Sequence, residues 1–211
     1  MIIFQRVATF DGPPEEVAPW ALEVTGAVNE HTHLDVSLWQ GLFGRPIGTY
    51  VWSTVIDSLT SLEAATDSLG GDAGYLSLLE KARGWLATPA EDALLRVVHA
   101  AGGEYVRPHV GAYAEVTIAV PAEGKLADAG GFGVEIADIH ADLTHSSVLF
   151  CTSEYALFGE MRWMAMYESA AAVDAAAEAI AKDERYMSRL DASGGLFVEA
   201  QARRALARRI G

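Results

Sequence analysis

Two clusters of imidazole and carboxylate groups are the first candidates for chemistry in this chain. NEHTHLD carries His31, His33 and Asp35, and DIHADLTH carries Asp138, His140, Asp142 and His145. Imidazole and carboxylate are the ligands that borderline metals take, so spacing decides. A His-x-His pair can share an ion only on extended backbone, because on a helix residues two apart point about 200° away from each other. His140 and His145, five apart, suit neither one helix face nor one strand face. Both clusters are expected where a helix gives way to a strand, and an imidazole there is favoured by the helix dipole without any ligand. They therefore read as solvated rim positions, with no metal expected. Nucleophilic catalysis has no set of residues: a Gly-x-Ser-x-Gly elbow and a Cys–His neighbourhood are both missing. GGFG lacks the spacing and the Lys-Ser/Thr ending of a phosphate loop.

The single cysteine, Cys151, rules out a disulfide within the chain and a Cys-based metal site. It sits in the apolar run SVLFCTSE and is expected to be a buried, inert thiol. A formal net charge of −14 and a sequence pI near 4.7 argue against nucleic acid and against an anionic membrane surface, both of which need an excess of Lys and Arg. One basic cluster, Arg203, Arg204, Arg208 and Arg209, reads as a solvated face balancing the acidic remainder. MIIFQRVATFDG lacks the pattern of a signal peptide, and no apolar run approaches the roughly 20 residues of a membrane helix. A cytoplasmic location is the expectation.

The elements that would position these residues come from a repeat. Sliding the 211-residue chain by 111 residues lays Gly48 on Gly159, Trp52 on Trp163, Ser58 on Ser169, Asp72 on Asp183, Tyr75 on Tyr186, Leu79 on Leu190 and Gly84 on Gly195. YVWSTVIDS thus matches MRWMAMYES with no gap, and an internal duplication explains the register. Each unit opens with a β-branched and aromatic strand, MIIFQRVATF or YAEVTIAV. A helix follows; in the first unit Val17, Trp20, Ala21, Val24 and Val28 share one face, whereas Gly130, Gly131 and Gly133 weaken its counterpart. Next come a second strand (DVSLWQGLF, SVLFCTSEYALF) and a third, in which Tyr50, Trp52, Thr54 and Ile56 alternate to one face, as do Met161, Trp163, Ala165 and Tyr167. Ser58 and Ser169 suit N-caps of a second helix, and Asp72 and Asp183 suit caps of its renewed second part. ALLRVVHA closes the first unit. Its counterpart, RALARRIG, fits a strand or a terminal helix.

Each unit therefore reads strand–helix–strand–strand–helix–strand, the split βαβ pattern. The fold class is α+β, with tandem ferredoxin-like repeats pairing their antiparallel sheets into one α/β barrel. Residues 1–100 form the first repeat, 101–110 a linker containing AAGGEYVRPHVG glycines and its proline, and 111–211 the second repeat. Trp52 and Trp163 are expected to be largely buried, since aromatics at alternating strand spacing usually pack.

GTYVWSTVIDSLTSLEAATDSLGGDAGYLSLLEKARGWL and GEMRWMAMYESAAAVDAAAEAIAKDERYMSRLDASGGLF resemble the C-terminal halves of dimeric α/β-barrel domains, closest to the NIPSNAP-like and antibiotic-biosynthesis-monooxygenase-like branches. The resemblance implies ligand binding between a sheet and its helices. Haem-degrading members use a His of the second helix with Asn and Trp nearby. Here neither second helix holds a His and the only Asn is Asn29, so no haem and no other cofactor is expected. Monooxygenase members hold a phenolic substrate that reacts with oxygen itself in an apolar pocket with a few polar aromatics. By that resemblance Trp52, Tyr50, Tyr75 and Trp39 would line a pocket in the first unit, and Trp163, Tyr167, Tyr186 and Arg162 one in the second. The implied function is binding, with cofactor-independent oxidation, of a small apolar or aromatic molecule. The alternative is a non-enzymatic barrel acting through its surface or in an assembly. The tandem chain would supply both halves of the barrel itself, as a monomer with an internal pseudo-dimer or as a further homo-oligomer.

Overall fold

A computed structural model describes all 211 residues. The first repeat runs β1 (Ile2–Thr9), α1 (Pro14–His31), β2 (Ser37–Phe43), β3 (Thr49–Ile56), α2 (Leu59–Gly70), α3 (Ala73–Lys81) and β4 (Glu91–Ala101). The second runs β5 (Tyr113–Ala119), α4 (Leu126–Thr144), β6 (Ser147–Tyr155), β7 (Met161–Tyr167), α5 (Ala170–Lys182), α6 (Glu184–Asp191), a 3-10 turn (Glu199–Gln201) and β8 (Arg203–Arg209). The strands close into one barrel in the order β1-β3-β2-β8-β5-β7-β6-β4. Each repeat contributes the ferredoxin-like sheet, and the seams are β2 against β8 and β4 against β6, both antiparallel. Helices cover the outside of both sheets, so β3 and β7 are largely buried on both faces, whereas β8 stays mostly exposed or half-buried.

Local signals set the helices. Ser58 and Ser169 accept hydrogen bonds from the backbone N–H of Ser61 and Ala172. Asp72 and Asp183 accept from the N–H of Tyr75 and Tyr186 at 2.6 and 2.7 Å, restarting the helix in each repeat. Pro14 begins α1, and Pro19 lies inside it. The glycines of α4 do not break it. Gly133 lets the helix lie directly on β6: a Cβ there would meet the Phe150 ring at 2.3 Å.

The end of the chain is a strand, not a helix. β8 pairs with β5 over Arg203–Arg208 and with β2 over Leu206–Arg209. Ala and Arg favour helix intrinsically, but two open sheet edges claim this segment's backbone. Its arginines consequently divide between faces rather than forming one solvated patch. Arg208 lies over the Tyr113 ring and Arg204 pairs with Glu115, whereas Arg209 is buried and donates to the carbonyls of Gly211 and Pro108. Between β4 and β5 the chain crosses one barrel end. Tyr105 packs against the cluster of Ile3, Leu95, Leu149 and Met164 inside the barrel. Arg107 donates to Ser37 Oγ and to the Val36 carbonyl and pairs with Asp35.

Candidate functional site

A cavity of about 290 Å³ opens between the second repeat's sheet and its helices. Its floor is sheet: Trp163 and Ala165 of β7, Val148 of β6, Glu115 and Thr117 of β5, Arg204 of β8. Its walls are Phe132, Ile136 and His140, one turn apart on α4, then Tyr186 and Leu190 of α6 and Phe197 beyond it. Phe197 is held in place by a bridge to Pro121. The lining is mostly apolar and aromatic with a few polar groups, the general character of small-molecule sites.

Trp163 lies face to face on Phe150, with ring centroids 5.1 Å apart and planes 27° from parallel. Phe132 and Phe197 meet it edge-on at 6.4 and 5.9 Å. Its indole N–H donates to the Gly133 carbonyl at 2.9 Å, which fixes the ring and leaves one face to the cavity. His140 Nε2 lies 2.8 Å from the Tyr167 hydroxyl. Burial, with Arg204 adding to it, lowers the His140 pKa to about 4, so the ring is neutral near pH 7. Burial pushes Tyr167 and Tyr186 up, so both keep their protons. Arg204 Nη2 and Glu115 Oε2 are 2.5 Å apart. Burial disfavours the guanidinium, but the hydrogen bond and charge of Glu115, with Tyr186 and Tyr167 adding to them, together hold its pKa above the usual value.

The first repeat fills the corresponding space with rings. Trp52 is buried against Trp20, Phe10 and Tyr50, with centroids 6.3, 6.3 and 6.4 Å away, and Trp20 also meets Trp85 at 6.2 Å. The Trp52 N–H donates to Thr25 and the Trp20 N–H to the Leu78 carbonyl. Tyr75 packs at the edge of this cluster. An ion pair again stands on the helix side of the sheet, with its strands exchanged: Arg6 on the first strand donates twice at 2.7 Å to Asp92 on the last.

Of the eight residues expected to line pockets, Trp163 and Tyr186 line this cavity and Tyr167 supports it through His140. Tyr50 and Trp52 are core packing of the first repeat, with Tyr75 at its margin. Trp39 and Arg162 must be reassigned. Strand side chains alternate, so each faces the barrel interior, opposite to its neighbours Leu38 and Trp163. Trp39 donates to Ser53 Oγ at 2.9 Å. Arg162 is buried, donating to Glu160 at 2.6 Å and Gln5 at 2.7 Å, while Ser153 donates to the same Glu160 oxygen. Trp163 is half-buried rather than core, because its outer face borders the cavity. His140 is likewise not on the rim. His31, His33 and His145 are exposed, but His140 is buried. The spacing of four from Phe132 through Ile136 to His140 was the available signal that it shares an inward helix stripe. Nothing local revealed Phe197, Glu115 or Arg204. No group of three or more His, Cys, Asp or Glu side chains gathers as a metal site, and no helix is long and apolar enough to cross a membrane.

This architecture is a tandem ferredoxin-like α/β barrel, and solved structures share it. A candidate monooxygenase of Fusobacterium nucleatum superposes with a TM-score of 0.74 at 9% identity, covering 100% of this chain and 92% of its own. An anthrone oxidase-like protein gives 0.72 at 12% identity, covering 100% and 91%. A major regulator of staphylococcal pathogenesis gives 0.60 at 8% identity, with both chains fully covered. No protein-family model matches the chain, and no curated protein sequence matches it.

Proposed function

We propose that the second repeat binds a small apolar or aromatic molecule in the cavity beside Trp163 and presents it for oxidation. The observation that carries the reading is the asymmetry of the repeats. Trp52 is buried against three other rings, whereas the equivalent Trp163 keeps one face toward a roughly 290 Å³ cavity. A duplicated core that served packing alone has no need to leave its second copy open, since an unfilled apolar void costs stability. The aromatic walls favour a planar molecule, and the neutral His140, Tyr186 and the Glu115–Arg204 pair supply the few polar contacts that would orient it. Oxidation is suggested by the names of two proteins of the same fold, a candidate monooxygenase and an anthrone oxidase-like protein. The first repeat acts in this reading as the buttress that closes the barrel. Native mass spectrometry of the purified protein after incubation with a metabolite extract tests it. A retained small-molecule mass that disappears on Trp163→Ala supports the reading, and an empty protein across extracts contradicts it.

A second reading, action through the surface, is favoured by one feature. Both strand-connecting hairpins carry Leu-Phe-Gly, and Phe43, Ile47, Leu157 and Phe158 stand exposed there. A pull-down lost on Phe43→Ser with Phe158→Ser, with the cavity unoccupied, would favour it.

A further inference from the structure

The His140–Tyr167 contact decides more than the position of two side chains. Tyr167 is 4% exposed, and at neutral pH its phenol must place one proton on an acceptor. Its hydroxyl lies 2.8 Å from His140 Nε2, and the Ser146 side chain, which also bonds that oxygen, favours the ionised phenol as a donor does, so the phenol proton is left to His140. A neutral imidazole carries one N–H and one bare nitrogen, and the partner of one nitrogen sets the state of the other. If Nε2 takes the phenol proton as acceptor, the imidazole proton resides on Nδ1. Nδ1 has no protein partner, yet His140 lines the cavity. The burial that keeps the ring neutral supports the same assignment, since a protonated ring would have no acceptor to choose.

The other polar groups of the cavity impose less direction. The Trp163 N–H is consumed by the Gly133 carbonyl, and Arg204 is engaged by Glu115. The Tyr186 hydroxyl can donate or accept and so discriminates weakly. His140 Nδ1–H would be a donor only, set in an apolar wall between Ile136 and Tyr186, where an unmet donor is costly and a matched acceptor is favoured.

Resting on the cavity reading above, we propose that His140 Nδ1–H is the specificity-determining donor of this site, that it anchors a carbonyl oxygen on a planar aromatic ligand, and that Tyr167 is the positioning residue holding that tautomer. The site then prefers an aromatic ketone to the hydrocarbon of the same shape.

Two measurements on the full chain test this. Long-range nitrogen–proton NMR of protein labelled at histidine nitrogen reads the tautomer directly. The proposal expects the His140 proton on Nδ1 at neutral pH and a mixed tautomer in Tyr167→Phe; a proton on Nε2 in the native protein overturns the anchor. Calorimetric titration then compares α-tetralone with tetralin, which differ by one carbonyl. The expected result is about tenfold tighter binding of the ketone, the scale of one good hydrogen bond. That preference should vanish in His140→Phe and persist in His140→Asn, whose amide N–H lies near the place of Nδ1. Equal binding of both probes overturns the anchor and leaves the cavity reading standing. Binding of neither probe overturns the cavity reading and the anchor with it.

Discussion

Trp52 and Trp163 stand at the same point of the two repeats, each directly across from a first-strand residue, Arg6 and Thr117 respectively, but their indole N–H groups are anchored differently. Trp52 donates to the Thr25 side chain on α1 at 3.0 Å, and Trp163 donates to the Gly133 backbone on α4 at 2.9 Å. The backbone anchor draws α4 onto the sheet beside Trp163 and leaves the cavity beyond it. The side-chain anchor comes with Phe10, Trp20 and Tyr50 packed around a buried Trp52.

The two truncations should therefore differ. Trp52→Ala removes a buried ring from a packed cluster and is expected to cost about 3–5 kcal/mol. Trp163→Ala should cost less, because one face already borders open space, and it should abolish ligand binding. Urea unfolding of the two variants, read beside ligand titration, gives the comparison. Equal losses would place both rings in the same kind of core.

His140 gives the stability a specific pH dependence. Its folded pKa of about 4 lies below the ordinary 6.5, so the unfolded chain binds the proton more readily. The contribution is complete above about pH 6.5 and is lost as the pH falls toward 4, by up to about 3 kcal/mol. Denaturant unfolding of the native protein and of His140→Asn between these limits isolates it from the carboxylates. The slope should flatten in the variant; parallel curves would mean that His140 is solvated when folded.

Gly133→Ala should be destabilising although alanine is the better helix former. The new methyl meets Phe150 at 2.3 Å, and moving α4 outward would stretch the Trp163 hydrogen bond. A loss of about 1–3 kcal/mol is expected from overpacking, with a change in Trp163 emission. By contrast Gly130→Ala, where a methyl meets open space, should be neutral or mildly stabilising. A thermal melt of both variants that shows the same shift would contradict this packing.

Much of this architecture is legible in the sequence because its signals are local and occur twice. Ser58 and Ser169, and Asp72 and Asp183, cap helices by bonds to residues three positions on, so their role follows from short-range order. Trp52 and Trp163 mark equivalent strands for the same reason. What stayed open or was misread lies where distant pairing decides. The Arg-Ala run of β8 favours helix by composition, and only β2 and β5 on either side make it a strand. The resemblance grouped Arg162 with Trp163, but adjacent strand residues face opposite ways, and its partners Gln5 and Glu160 are buried on the other side of the sheet. His140 looked like a rim residue beside His145, yet α6 packs over one and not over the other. The cavity itself is a difference in how two similar cores are filled, and a repeat alignment records the likeness but not the filling.

Calorimetric titration of α-naphthol into the native protein and into Ala202→Trp tests directly whether the cavity beside Trp163 is a binding site. Ala202 is exposed at the cavity mouth just before β8, so an indole there obstructs entry without entering the core. A single saturable site is expected in the native chain, weakened at least about tenfold by the substitution, with the melting temperature unchanged. No saturable binding to the native protein, or equal affinity in the blocked variant, would contradict it.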